Sequence, residues 1–287
     1  MTASLSAPQR VPSPVALVLI GIVSVQFGAG IAKSLFDSVD PTTLAWLRLV
    51  TSAAVLLAWV RPRLRGRSRT DWLVVLGFGI ALGTMNWAIY QSFARIPLGI
   101  AVTVEFVGPL TLAVAGSRRL RDLAWVVLAG AGVLLLGLEP GDLTWAGIGF
   151  ALLAGAAWAA YILLSRSTGA RWPGMDGLAV ASTIAAVLLA PPAMVHRADL
   201  GQGRVLLLGA LIGLLSSVIP YSCELVALRS LRPAVFGILM SLEPAAAALA
   251  GWVVVHETLS TTQWAALVCV IVASVGATRD WGAEPVA

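Results

Sequence analysis

The chain has 287 residues, 59% of them hydrophobic and only 11% charged, against about half and about a quarter in a soluble domain. So little charge cannot clothe a soluble globule, and a mean hydropathy of +0.90 excludes a disordered chain, a nucleic-acid binder and a secreted disulfide scaffold. A net charge of +5 then reads as basic loops of a membrane protein, and Cys223 and Cys269, inside apolar runs, as small core side chains.

A helix needs about 20 apolar residues to cross the hydrocarbon core. Ten such stretches follow one another: 14–36, 41–60, 71–93, 97–116, 122–138, 143–165, 174–195, 203–227, 233–255 and 262–278. Pro41, Pro97 and Pro233 stand where helices begin, the position that tolerates a missing N–H. The expected fold is an all-α polytopic membrane protein of ten transmembrane helices. Residues 1–13 and 279–287 are its tails, and the connections are too short to hold a soluble domain.

Orientation follows from the arginines. With the N-terminus in the cytoplasm, Arg10, Arg61, Arg63, Arg65, Arg67, Arg69, Arg118, Arg119, Arg121, Arg166, Arg171, Arg229, Arg232 and Arg279 lie inside. Lys33, Arg95, Arg197 and Arg204 lie outside, and Arg48 is left within a helix. A 14 to 4 bias puts both termini in the cytoplasm. The Arg61–Arg69 run reads as a solvated topological signal. Trp59, Trp72, Trp125, Trp145, Trp172 and Trp264 fall near helix ends, where interfacial tryptophan belongs.

The fourth and ninth stretches can be superposed. Pro109-Leu-Thr-Leu-Ala-Val-Ala-Gly116 matches Pro244-Ala-Ala-Ala-Ala-Leu-Ala-Gly251 at an offset of 135 residues. Trp125 and Gly137 match Trp264 and Gly276 at 139, the extra residues falling around Val254–Glu257. Five helices per half is an odd number. The halves, 14–138 and 143–278, therefore enter the membrane in opposite directions, the pattern of alternating-access transporters. Gly79-x-x-x-Gly83 and Gly209-x-x-x-Gly213 read as close helix contacts.

Ionisable residues at bilayer depth cost about 2.5–3.5 kcal/mol on insertion scales and mark pathways. At 1.5 Å of rise per residue, Glu105 lies roughly 12 Å from the outer face, Glu243 roughly 15 Å from the inner face and Arg48 roughly 10 Å from the outer face. Lys33 sits near the outer end of the first helix and Gln26 near its middle. Asn86 and Tyr90 occupy the outer half of the third; Trp158 and Tyr161, and Tyr221 and Glu224, occupy inner halves. Each has a plainer reading. Glu243 would cap backbone groups freed by Pro244, and Glu105 would pair structurally with Arg48 or Lys33. Lys33 would snorkel to headgroups; Tyr90 and Trp158 would be packing aromatics. His196 and His256 read as loop or helix-end residues. No Walker loop, His-Glu-x-x-His or Gly-x-Ser-x-Gly occurs, and no cluster has metal-ligand spacing. No cofactor or metal is called for, an intramembrane enzyme is a remote alternative, and an ion gradient is the expected driver.

Several runs carry a family resemblance: Ser24-Val-Gln-Phe-Gly-Ala-Gly-Ile-Ala-Lys-Ser-Leu-Phe36, Met85-Asn86, Pro97-Leu-Gly-Ile-Ala-Val-Thr-Val-Glu-Phe-Val-Gly-Pro-Leu110, Pro220-Tyr-Ser-Cys-Glu224 and Phe236-Gly-Ile-Leu-Met-Ser-Leu-Glu-Pro244. Over roughly 12–278 the sequence resembles the threonine/homoserine exporter subgroup of the EamA family, in the drug/metabolite transporter superfamily. The resemblance implies a ten-helix, two-repeat exporter of small amino acids in the bacterial inner membrane, running on the proton gradient. Its partners would be a small substrate, protons and the bilayer, with no nucleic acid, and the protein would be a monomer or weak dimer.

A zwitterionic substrate needs a cation for its carboxylate and an anion for its ammonium. Arg48 and Lys33 suit the first role; Glu105 and Glu243 suit the second. A proton carrier must change protonation during the cycle. Glu243, with no basic residue at its depth in its own half, is the better candidate, leaving Glu105 for the ammonium. The alternative of an exporter of drugs or other amphipathic metabolites would lean on Trp158, Tyr90 and Tyr221 to stack a cation or ring.

Overall fold

The structure is a computed structural model that describes residues 13–115, 120–136, 143–228, 230–231 and 233–281. Regular secondary structure among the described residues is entirely helical. The order is α1 Pro14–Lys33, α2 Pro41–Val60, α3 Arg69–Phe93, α4 Leu98–Glu105, α5 Val107–Ala115, α6 Leu120–Leu136, α7 Trp145–Gly169, α8 Asp176–Val195, α9 Arg197–Leu200, α10 Gly203–Gly213, α11 Ile219–Leu228, α12 Pro233–Met240, α13 Glu243–Ala250 and α14 Thr261–Trp281. Single π-helical turns, Leu214–Val218 and Gly251–Val255, follow α10 and α13.

Local signals explain the helix starts. Ser13 accepts a hydrogen bond from Ala16 N–H, Asp40 from Thr42 N–H and Thr144 from Gly147 N–H, each satisfying an orphan donor of the first turn. Ser68 and Asp71 form a reciprocal capping box at α3. Pro14 and Pro41 stand first in their helices, and Pro97 is the cap of α4.

Where described, each predicted apolar stretch falls chiefly on helix. Among the described residues seven runs are long and apolar enough to cross a membrane, and Leu98–Leu112, Leu123–Leu135 and Thr261–Gly276 are shorter. The chain is a multi-pass membrane protein. Its outward face is greasy (Ile20, Val23, Leu73, Leu134, Val187, Leu207 and Val253 are all exposed), which only a hydrocarbon solvent tolerates over so large an area. The glycines Gly116 and Gly137 of the sequence match, and Arg10, Arg118, Arg119, Arg229 and Arg232 of the charge bias, lie outside the described residues.

Close packing inside is made by small residues. A Cβ on Gly79 or Gly83 would meet Ala181, Ile184 or Ala185 of α8, and one on Gly209 or Gly213 would meet Leu47, Arg48 or Thr51 of α2. Both glycine pairs are thus the contacts the spacing predicts. More broadly, α3 packs on α7 and α8, α2 on α8 and α10, α1 on α11 and α13, α4 on α7 and α13, and α6 on α14.

The stretches predicted as continuous at 97–116, 203–227 and 233–255 are interrupted. Phe106 separates α4 from α5, three residues before Pro109; Ser241 and Leu242 separate α12 from α13, just before Pro244. Each proline lacks the N–H that would bond the carbonyl four residues back, leaving Glu105 O and Met240 O without their helical donor. The first break is clamped by α7. A Cβ on Gly155 would strike the Glu105 carbonyl, and one on Gly108 would strike Gly155 itself, so only glycine at both positions permits this approach.

Two sequence readings need correction. Trp172 is not interfacial: it is buried under the Arg67 guanidinium, 4.4 Å from the ring centroid, and its indole N–H donates to Asp71 O at 3.4 Å. Trp125 packs against Gly276 of α14, whereas Trp59, Trp72, Trp145 and Trp264 are exposed at helix ends. Nor is the arginine run merely solvated. Arg67 donates to Arg171 O at 3.0 Å, Arg63 N–H to Asp176 at 3.1 Å, and Arg171 pairs with Asp71 at 3.3 Å. The loop between α2 and α3 is thereby tied to the loop between α7 and α8.

Candidate substrate cavity

A cavity of about 130 Å³ lies among α1–α4, α7, α11, α12 and α13. Nine of the eleven residues singled out in the sequence line it: Gln26, Arg48, Asn86, Glu105, Trp158, Tyr161, Tyr221, Glu224 and Glu243. Both helix breaks open onto it, since Glu105 is the last residue of α4 and Glu243 the first of α13. Discontinuous helices with freed backbone groups are how transporter sites meet polar substrates in a membrane.

Arg48 is held by the π turn. Its Nε donates to Ser217 Oγ at 3.2 Å and its Nη2 to Ser216 O at 2.8 Å. That carbonyl is available because Pro220, four residues on, has no N–H to give it. The carbonyl five residues before Pro220 is freed from its π-type bond by the same proline, and Leu215 O accepts instead from Ser24 Oγ of α1 at 2.7 Å. One proline thus staples the π turn to α1 and α2. Such turns recur at functional sites. Arg48 forms no ion pair with a described carboxylate, and its Nη1 enters no hydrogen bond with a described residue, so its fork keeps donors for a ligand.

Tyr90 does not line the cavity. It is buried behind Arg48, its ring 5.9 Å from the guanidinium carbon and packed on Phe36 and Phe93. Trp158 stands edge-on to Phe106 at the break, 5.4 Å between ring centres, and Tyr161 packs tilted against Phe78 at 5.0 Å. Those two aromatics pack and line the cavity at once.

Lys33 lies elsewhere. Its ammonium pairs with Glu257 at 2.5 Å and donates to Ile96 O at 2.6 Å, while the other oxygen of Glu257 accepts Leu98 N–H at 2.8 Å. This knot joins the end of α1, the start of α4 and the segment after α13, beside a separate pocket lined by Phe93, Arg95, Pro97 and Thr258. Lys33 is neither a cavity residue nor a snorkelling one, and Glu105 pairs with neither Lys33 nor Arg48. Glu257, Ser216 and Ser217 escaped the sequence reading. The signal for the serines is Pro220; for Glu257 it is an acid at the end of an apolar run, facing a helix start.

Comparison with known proteins adds to this geometry. The profile of the EamA-like transporter family matches residues 145–279. The threonine/homoserine exporter RhtA of Salmonella typhimurium (strain LT2) is 41% identical over 276 residues, covering 95% of this chain and 93% of that protein. The chain belongs to the EamA-like transporter family. A second relative, the threonine/homoserine exporter RhtA of Escherichia coli K12, is 40% identical over 92% of this chain and 91% of its own. The uncharacterized transporter YwfM of Bacillus subtilis is 30% identical, covering 79% and 81%. A crystal structure 20% identical superposes with a TM-score of 0.63 over 92% of this chain and 96% of that one, so the fold is shared. These named relatives are exporters and transporters, and an enzyme reading has no footing.

Proposed function

We propose that the protein is a secondary active exporter of small neutral amino acids, threonine and homoserine foremost, working by alternating access in exchange for protons in the bacterial plasma membrane. The observation that carries this reading is the cavity, where one guanidinium with unused donors faces the same space as Glu105, Glu224 and Glu243. A zwitterion fits such a site by its two ends, the carboxylate on the Arg48 fork and the ammonium on a carboxylate. Three carboxyl groups against one guanidinium leave the cavity short of positive charge, which a substrate ammonium and protons supply. The relatives' names point to the same substrates.

In this reading ten helices form two inverted repeats, 14–138 and 143–278, with both tails, 1–13 and 279–287, in the cytoplasm. Helix packing supports it. Let α1, α2, α3, α4–α5 and α6 exchange with α7, α8, α10–α11, α12–α13 and α14. The α3–α7 contact then maps onto α1–α11, α3–α8 onto α2–α10, and α4–α7 onto α1–α13. The two broken helices exchange as well, Phe106 falling on Ser241 at the offset of 135 residues read from the sequence. A reporter fused after Trp281 is expected to be active only if it is of the cytoplasmic type. Activity of a periplasmic-type reporter there would break the inverted-repeat reading.

The test of function is a panel of radiolabelled amino acids in proteoliposomes with an imposed pH gradient. Threonine and homoserine are expected to accumulate in the compartment from which protons leave. Failure of every amino acid, with movement of an organic cation instead, would favour the drug-exporter alternative; of its three aromatics, Trp158 and Tyr221 line the cavity and Tyr90 does not.

A further inference from the structure

Buried polar atoms are almost always partnered, and among the described residues six side-chain atoms are not. Three of them belong to Asn86, Tyr90 and Ser216, gathered at the Arg48 end of the cavity. Ser216 supplies the carbonyl that binds Arg48, and Tyr90 backs its guanidinium. Asn86 lines the cavity itself and is 1% exposed.

The orientation of the Asn86 amide is fixed by its neighbour. Its Nδ2 donates to Leu82 O at 2.8 Å. A backbone carbonyl can only accept, so flipping the amide would set two acceptors against each other. The unpartnered atom is therefore Oδ1, an acceptor with nothing to accept from. A ligand that satisfies it must bring a donor. A zwitterionic amino acid has its carboxylate served by Arg48 and its ammonium by the cavity's carboxylates, which are stronger partners for a cation than an amide oxygen. The donor left over is a hydroxyl on the side chain. The place fits: Asn86 is one helical turn, about 6 Å of rise, from Tyr90, whose ring lies 5.9 Å from the guanidinium carbon.

We propose that Asn86 is the specificity residue of the cavity, its Oδ1 accepting a hydrogen bond from the side-chain hydroxyl of the substrate and so selecting hydroxy amino acids over apolar ones of the same shape. The assignment rests on the amino-acid reading above and sharpens it. Discrimination of this kind is effective because the analogue lacking the hydroxyl leaves a buried acceptor unpaired. Threonine and valine are the informative pair, differing by a hydroxyl in place of a methyl group.

The experiment is counterflow in proteoliposomes of the full chain, loaded with threonine or valine. Wild type is expected to prefer threonine by on the order of tenfold or more, the scale of one unpaired buried group. Asn86→Leu, which keeps the bulk and removes the acceptor, is expected to bring the threonine to valine ratio near unity while valine still moves. Asn86→Ser can donate to Leu82 O and still accept from the cavity, and is expected to keep the preference. A wild type that moves both amino acids equally, or a leucine variant that keeps the full preference, overturns the assignment and leaves the amino-acid reading standing. If the leucine variant moves neither substrate, the serine variant decides: a retained preference supports the role, and a lost one overturns it. A wild type that moves no amino acid overturns the functional reading and this assignment together.

Discussion

Arg48→Ala is expected to abolish amino-acid export while the protein still inserts into the membrane. Removing a charge from α2 lowers the cost of insertion. Substrate binding suffers instead: removing one member of a desolvated, hydrogen-bonded charge pair costs about 2–5 kcal/mol, or about thirty- to several-thousand-fold in affinity at 1.4 kcal/mol per tenfold. Arg48→Lys keeps the charge but not the planar fork that bridges Ser217 Oγ, Ser216 O and a carboxylate, so it is expected to rescue export only weakly. Export is read by counterflow and insertion by the amount of protein in the membrane fraction. Normal export by the alanine variant would make Arg48 structural. The carboxylate would then have to be held by backbone N–H groups, because Lys33 is already occupied by Glu257.

Glu243→Gln is expected to keep exchange of substrate across the membrane and to lose uphill export driven by a pH gradient. Glutamine preserves size and hydrogen-bonding capacity but cannot take up and release a proton. Glu243 begins α13 at a helix break, is buried, and faces the same cavity as Glu105 and Glu224. A proton gained there therefore changes the charge that the substrate meets. The measurement pairs counterflow, which needs no coupling, with accumulation under an imposed gradient, which does. If Glu243→Gln still concentrates substrate and Glu105→Gln does not, the carrier is Glu105 and the roles of the two residues are exchanged.

How much of this was legible before the fold was known differs by residue. Apolar length located the long helices but not the short α9, and the ionisable residues inside those runs, Arg48, Glu105 and Glu243, line one cavity. Depth along an axis says nothing about direction around it. Tyr90 therefore lies behind Arg48 instead of lining the cavity, and Lys33, read as a clamp, turns toward Glu257. A break before Pro244 is foreshadowed by the backbone groups that proline frees, but the break at Phe106 and the π turn stayed hidden because hydropathy is blind to backbone hydrogen bonding. The prolines carried that information: Pro109 and Pro244 sit just after the breaks, and Pro220 frees the carbonyl that holds Arg48. Trp172 lies near a helix end as expected, but a nearby arginine draws it inward rather than to the headgroups.

The knot at Lys33 couples three segments through two side chains. Three polar contacts meet there, Lys33 to Glu257, Lys33 to Ile96 O and Glu257 to Leu98 N–H. They share atoms of only two side chains, so parting α1 from the segment after α13 removes the ion pair and strips a helix cap in the same movement. Loss of either side chain therefore removes two of the three contacts at once. In the alternating-access cycle proposed above, any movement that parts these segments has to break the three contacts together.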